Sequence, residues 1–188
     1  MSTNPCHSIT NLMKDFPHPW AIAGGWAIDL FLSQQTRPHS DIEILIFRRD
    51  QFALQTYLTD WQFTCVENRA IRPWLKKEKL SLPIHEAYAE KDGVPLEILL
   101  NEADKHHWIY RRDTRIKHTL NETINITSEG IPYLSPEIAL LYKSTHLRAK
   151  DEADFHHATK KMSLHQIQWL KESLLTMDEA HPWISLLH

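Results

Sequence analysis

The stretch AGGWAIDLFLSQQTRPHSDIEILIF, residues Ala23 to Phe47, decides how this chain is read. The whole chain has only four glycines, and two of them, Gly24 and Gly25, stand side by side here. Asp41 and Glu43 sit one residue apart in a run, DIEILIF, that otherwise reads as a buried β-strand. Side chains alternate across a strand, so both carboxylates leave one face, their backbones roughly 7 Å apart. Ile42, Ile44 and Ile46 then face the other way, into a core. Burying two unpaired carboxylates on one face is costly unless a cation lies between them. The spacing suits a pair of divalent ions, which in two-metal sites lie roughly 3.5–4 Å apart. Magnesium takes such oxygen ligands when substrate phosphates complete its shell. Without a metal, the same pattern is an acidic strand face turned to solvent.

The glycines sharpen the expectation. WAIA reads as a short strand that runs into Gly24-Gly25, and WAIDLFLSQQ follows with Trp26, Ala27, Leu30 and Phe31 at helical spacing. Glycines there let a ligand approach the backbone, and the first N–H groups of the helix suit a phosphate. A phosphate-binding turn next to a metal-binding strand is what a nucleoside triphosphate requires. A third acid, Glu97 in PLEILL, lies on another core-like strand. It is placed to serve as third metal ligand or as general base for an attacking hydroxyl. Glu102, at the end of the same strand, is its rival. Arg37 and His39, in the loop TRPHS, are placed either to contact phosphate or to order the loop.

The bulk numbers set bounds on this reading. At 188 residues, with 42% apolar and 24% charged residues, the chain is that of an ordinary globular protein. A formal net charge of −3 argues against a dedicated nucleic-acid binder, although WLKKEKL and WIYRRDTRIKH are locally basic. No apolar run approaches the roughly 18 residues of a membrane span. The segment MSTNPCHSITNLMKDF lacks the basic start and apolar core of a signal peptide, so the cytoplasm is the expected address. Cys6 and Cys65 are too few for a disulfide framework. The histidine doublets 106–107 and 156–157 make poor metal clamps, because sequence neighbours point to different sides. Oligomeric state is not legible, and Trp74 and Trp183 are named as tryptophans able to line an interface.

Along the chain, strands and helices alternate first and helices follow. A helical stripe over 8–16 precedes WAIA. RRDQFALQTYLTD is helical, WQFTCVE alternates like a strand, and IHEAYAEK and VPLEILLNE flank Asp92-Gly93, a strong hairpin signal. HWIYRR is a further strand candidate, and NETINITSEGIPYL holds a short one. At Ser135 the character changes. Ser-Pro-Glu opens a helix, a second is expected from Lys150 toward Lys161, and SLHQIQWLKESLLTM makes a third. The expected class is α+β, with a domain over 1–134 and a helical domain over 135–188.

GGWAIDLFL, TRPHSDIEILIF and the downstream GIPYLSPEIALLYK and RAKDEADF resemble the nucleotidyltransferases of the DNA polymerase beta superfamily, and most of all the 2''-type aminoglycoside nucleotidyltransferases. The resemblance covers nearly the whole chain. It implies a polymerase-beta-like core of mixed sheet and helices followed by a helical domain. It implies that Gly24 and Gly25 line the triphosphate, that Asp41 and Glu43 ligate magnesium, and that Glu97 is the third acid. Lys143 would neutralise phosphate charge from the opposite wall, and Arg148, Lys150 and Asp151 would lie near the cleft. The implied activity moves a nucleoside monophosphate, AMP from ATP or another from its triphosphate, onto a hydroxyl of a small molecule, with two magnesium ions during turnover. The alternatives are AMP transfer to a protein or RNA, as in antitoxin-type relatives, and a non-catalytic nucleotide-binding module. The sequence departs from the family at Glu43, usually Asp, and at Trp26, where no hydroxyl is offered to phosphate.

Overall fold

In the computed structural model, which describes residues 5–188, the glycine pair marks the point where the chain leaves the sheet. Strand β1 (Trp20–Ile22) gives way at Gly24, whose φ of +61° is a left-handed conformation that favours glycine, to helix α2 (Gly24–Leu32). The helix therefore begins two residues before Trp26, where apolar spacing places its start. The chain returns as β2 (Glu43–Phe47), antiparallel to β1.

Helices α1 (Pro5–Met13) and α3 (Gln51–Tyr57) flank this unit in sequence. Four strands follow: β3 (Gln62–Glu67), β4 (Ala70–Pro73), β5 (Glu86–Lys91) and β6 (Val94–Ala103). Asp92 and Gly93 both have positive φ, 53° and 76°, the conformation of the tight hairpin that the dipeptide predicts. Short strands β7 (His107–Ile109), β8 (Lys117–Thr119), β9 (Ile124–Ile126) and β10 (Pro132–Leu134) complete the mixed sheet, ordered β4-β3-β5-β6-β2-β1-β10-β9. Strand β7 joins β6 to β8 off this path. The pairs β2–β6 and β1–β10 are parallel. Neither β4 nor β8 is signalled in the sequence.

Helices α4 (Pro136–Lys143), α5 (Ala149–Thr159) and α6 (Leu164–Met177) form the helical tail expected from Ser135 onward. A capping box between Ser163 and Gln166 fixes the start of α6. Ser135 precedes α4 without capping it; its hydroxyl instead reaches the Glu122 carbonyl.

Strand β2 is buried on both faces, which explains its continuous apolar run. Ile44 and Ile46 enter one core with Ile9, Met13 and Leu54 from α1 and α3. Leu45 and Phe47 enter a second core, which also holds Ala27, Ile28, Leu140, Phe155 and Leu170. That second core thus joins α2 to all three C-terminal helices.

The structure corrects two readings. Strand β2 starts at Glu43, not Asp41, and Asp41 is exposed in the segment before it while Glu43 is half-buried. The cause is the short β1: Ile22–Ile44 is its last rung, after which the chain turns away at Gly24 and leaves Asp41 without a strand partner on that side. Trp74 and Trp183 are buried, 3% and 0% exposed, and so are core residues rather than interface candidates. Among the described residues no helix is long and apolar enough to cross a membrane. Both cysteines are buried.

Candidate active site

Parallel pairing of β2 with β6 sets Glu43 directly beside Glu97, and antiparallel pairing of β6 with β5 sets Tyr88 beside Glu97 in turn. One sheet face thereby gathers Glu43, Glu97 and Glu86, with Asp41 at its margin. These acids floor a cleft of about 700 Å³ whose other lining residues include Gly24, Gly25, Arg37, His39, Lys143 and Lys150. Of the residues that the sequence nominates, Arg148 lines this cleft as well, while Asp151 lies buried behind it. Glu102 does not line it. It leaves the opposite face of β6, where Arg48 holds its carboxylate in an ion pair.

Asp41, Glu43 and Glu97 share a property that sets them apart from the other acids around the cleft. None of their carboxylates receives a hydrogen bond or an ion pair from the described residues. Burial pushes the Glu43 carboxyl up, and the charge of Asp41 pushes it further, against the pull of Lys143, Lys150 and Arg148. For Glu97, burial and then the charges of Glu43, Glu86 and Asp41 raise the value to about 8. Carboxylates that repel one another in a half-buried cleft form an oxygen donor set short of positive charge. Among the described residues no three such side chains converge on one point, so the donors face the cleft without enclosing a position in it. Their chemistry fits a hard divalent cation.

Behind them, acids and bases are fully paired. Asp154 (1% exposed) accepts from Arg37 Nε at 3.0 Å and Nη2 at 2.9 Å, and lies 2.9 Å from Lys143 Nζ. Asp151 (0% exposed) accepts from Arg148 Nε at 2.6 Å and lies 3.4 Å from Lys143 Nζ. Helix α5 therefore seats two basic residues from other elements on its buried acids. His39 Nε2 lies 2.5 Å from Asp29 Oδ2, and Asp29 also accepts from the Thr36 N–H and hydroxyl. Burial pushes the Asp29 carboxyl up, but hydrogen bonds from His39 and Thr36 outweigh it and leave the value below the ordinary one. Of the two roles open to Arg37 and His39, the contacts made are those that order the loop. Lys150 lines the cleft without an ion pair among the described residues.

The glycines are explained by the same side chains. A methyl group at Gly24 would overlap the Glu43 carboxylate, and one at Gly25 would overlap the Arg37 guanidinium and the His39 ring. The backbone approach expected of them thus admits the site's own residues, while α2 keeps a first turn without a side-chain cap.

Sequence reading missed Asp29, Glu86, Arg111, Arg112 and Tyr142. Asp29 carries a signal, a lone acid in the apolar helical run AIDLFL. Glu86 needs the β5–β6 register, and the others line the cleft only through packing of α4 and of the chain after β7.

The cleft sets unpaired acids on its sheet side against lysines and an arginine on its helical side, and the family that the chain matches makes it a nucleotidyltransferase. The match of residues 6–162 to the aminoglycoside-2''-adenylyltransferase family places the chain in that family. No curated protein sequence matches it. The fold is similar to the solution structure of the antibiotic-resistance factor ANT(2'')-Ia, at TM-score 0.60 and 16% identity over 100% of both chains. It is also similar to the crystal structure of ANT(2'')-Ia with adenylyl-2''-tobramycin, at TM-score 0.62 and 15% identity over 91% of this chain and 95% of that one. The lincomycin-bound lincosamide adenylyltransferase LnuA matches at TM-score 0.58 and 18% identity over 87% and 99%.

Proposed function

We propose that the protein transfers AMP from magnesium-bound ATP to a hydroxyl of a small-molecule acceptor. The observation that carries this reading is the trio Asp41, Glu43 and Glu97, unpaired in a cleft where the neighbouring buried acids are paired. Asp41 and Glu43 would hold the metal. Bound there, magnesium supplies positive charge to the phosphates and to the departing pyrophosphate. The uncapped first turn of α2 would turn its N–H groups toward the triphosphate, and Lys150, with no ion pair among the described residues, would meet it from the helical wall. Lys143 and Arg37 act from their places on Asp154 and keep that wall positive. Glu97 lies directly beside Glu43 on the cleft side of the sheet and would take the proton of the attacking hydroxyl. Family membership supports the adenylyl donor and the small acceptor.

The deciding experiment follows the melting temperature of wild type and Asp41→Asn with ATP, GTP, CTP and UTP, each with and without magnesium, alongside pyrophosphate release. A ligand that binds only the folded chain raises the melting temperature. A magnesium-dependent gain with ATP that Asp41→Asn loses is the expected result. Equal gains in both proteins, or none with any nucleotide, would overturn the reading.

A further inference from the structure

The cleft has a second basic end that the triphosphate does not account for. Arg111 and Arg112 both line it, and no carboxylate among the described residues lies within ion-pairing distance of either. Arg112 donates to the Tyr110 hydroxyl at 3.3 Å, the Tyr142 carbonyl at 3.3 Å and the Thr145 hydroxyl at 2.7 Å. Arg111 makes no hydrogen bond with the described residues. Its guanidinium stands 5.6 Å from the centre of the Tyr142 ring, and Arg112 stands 5.7 Å from the same ring. Tyr142 therefore props two like charges side by side.

Such an arrangement is unfavourable for the free protein. Burial first, and then the neighbouring Arg112 charge, press Arg111 below its ordinary basicity. A half-buried guanidinium with all its donors unused marks a place where a ligand completes the structure. The planar fork of arginine suits the paired oxygens of a carboxylate, phosphate or sulfate.

Position separates this pair from the donor nucleotide. Glu43 opens β2 beside Glu97 and next to the glycine turn, whereas Arg111 and Arg112 follow β7, which pairs with the far end of β6 at Glu102 and Ala103. The charge of Glu86 acts on Glu97. The cleft thus runs from the metal-binding acids, past Glu97 and Glu86, to the two arginines.

We propose that the acceptor carries an oxyanion, seated by Arg111 with Arg112 beside it, so that its hydroxyl lies toward Glu97. The proposal deepens the transfer reading and rests on it for the identity of the acceptor end. It points the search for the substrate toward hydroxylated acids or phosphate and sulfate esters.

The test uses the full chain saturated with magnesium and a non-hydrolysable ATP analogue, and sulfate as the probe. Sulfate is titrated against chloride of equal ionic strength while the melting temperature is followed. The expected result is a saturable gain with sulfate alone. Arg111→Gln should weaken it about tenfold, the loss expected of one or two charged hydrogen bonds. Arg111→Lys should restore part of it, and nucleotide affinity should stay as in wild type. No gain over chloride would overturn the proposal, as would a gain that Arg111→Gln leaves intact. An equal weakening of the nucleotide itself would also overturn it, because the arginine would then serve the donor. If wild type fails to bind the nucleotide at all, the transfer reading falls, and the sulfate titration of wild type and Arg111→Gln still decides the anion seat.

Discussion

Gly24 owes its identity to two separate demands, a left-handed backbone and the carboxylate of Glu43 lying where a side chain would begin. Gly24→Ala is therefore expected to destabilise by more than the about 1–2 kcal/mol of a left-handed non-glycine residue. Adding Glu43→Ala should recover the excess and no more, which a double-mutant cycle in urea would measure. Glu97 makes a prediction of a different kind. Its folded value of about 8 lies above the ordinary 4.5, so between these pH values the folded chain holds a proton that the unfolded chain has released. Stability of the metal-free protein should fall as pH rises through that window. Glu97→Gln should flatten the slope and raise the melting temperature at pH 8. An unchanged pH profile would contradict the burial and repulsion assigned to this group. These residues were legible because their chemistry is written locally, as GG and DxE, and the alternation of a strand says which face they take. Asp29, Glu86 and Arg111 were not, because each matters only through a partner that folding brings to it.

At the scale of elements, α5 works as a seat for cations. Its two buried acids hold Arg37 from the loop before β2, Lys143 from the end of α4, and Arg148 from just before its own first turn. Removing Asp154 would leave Arg37 and Lys143 facing one another without their shared acid. Asp154→Ala is expected to destabilise the protein by about 3 kcal/mol, the lower end for breaking a buried pair, because Arg37 is partly exposed. Denaturant unfolding would show this as a lowered midpoint, and a loss below about 0.5 kcal/mol would mean that these contacts are surface pairs. The strand boundary at Glu43 teaches the same lesson from the other side. Composition carries the run DIEILIF as one strand, but pairing ends where β1 ends, and the length of β1 is set by the glycine turn.

At the scale of the molecule, the second core ties the sheet to the C-terminal helices. Ala27 and Ile28 of α2 pack in one cluster with Leu140, Phe155, Leu170 and Leu174. A fragment over 1–134 would expose that face of α2 and of the sheet. It is expected to lack a cooperative thermal transition, whereas the full chain has one. A fragment that melts cooperatively would establish 1–134 as a self-sufficient domain. The change from mixed to purely helical elements at Ser135 was plain in the sequence. That both segments fill a single core was not, since each helix shows its own stripe and not what the stripe meets.

Trp26 packs against the segment before β2, its indole Nε1 donating to the Asp41 carbonyl at 3.1 Å and its ring 4.5 Å from that of His39. The residue that departs from the family's wording is thus a built-in optical reporter for the segment that carries Asp41. Emission from this indole depends on its hydrogen bond and on the contact with the ring beside it. Addition of magnesium and ATP should change the protein's fluorescence, and Trp26→Phe should remove that change while the other six tryptophans continue to emit. Donor binding could then be timed in a stopped-flow instrument without any label, before the acceptor is known.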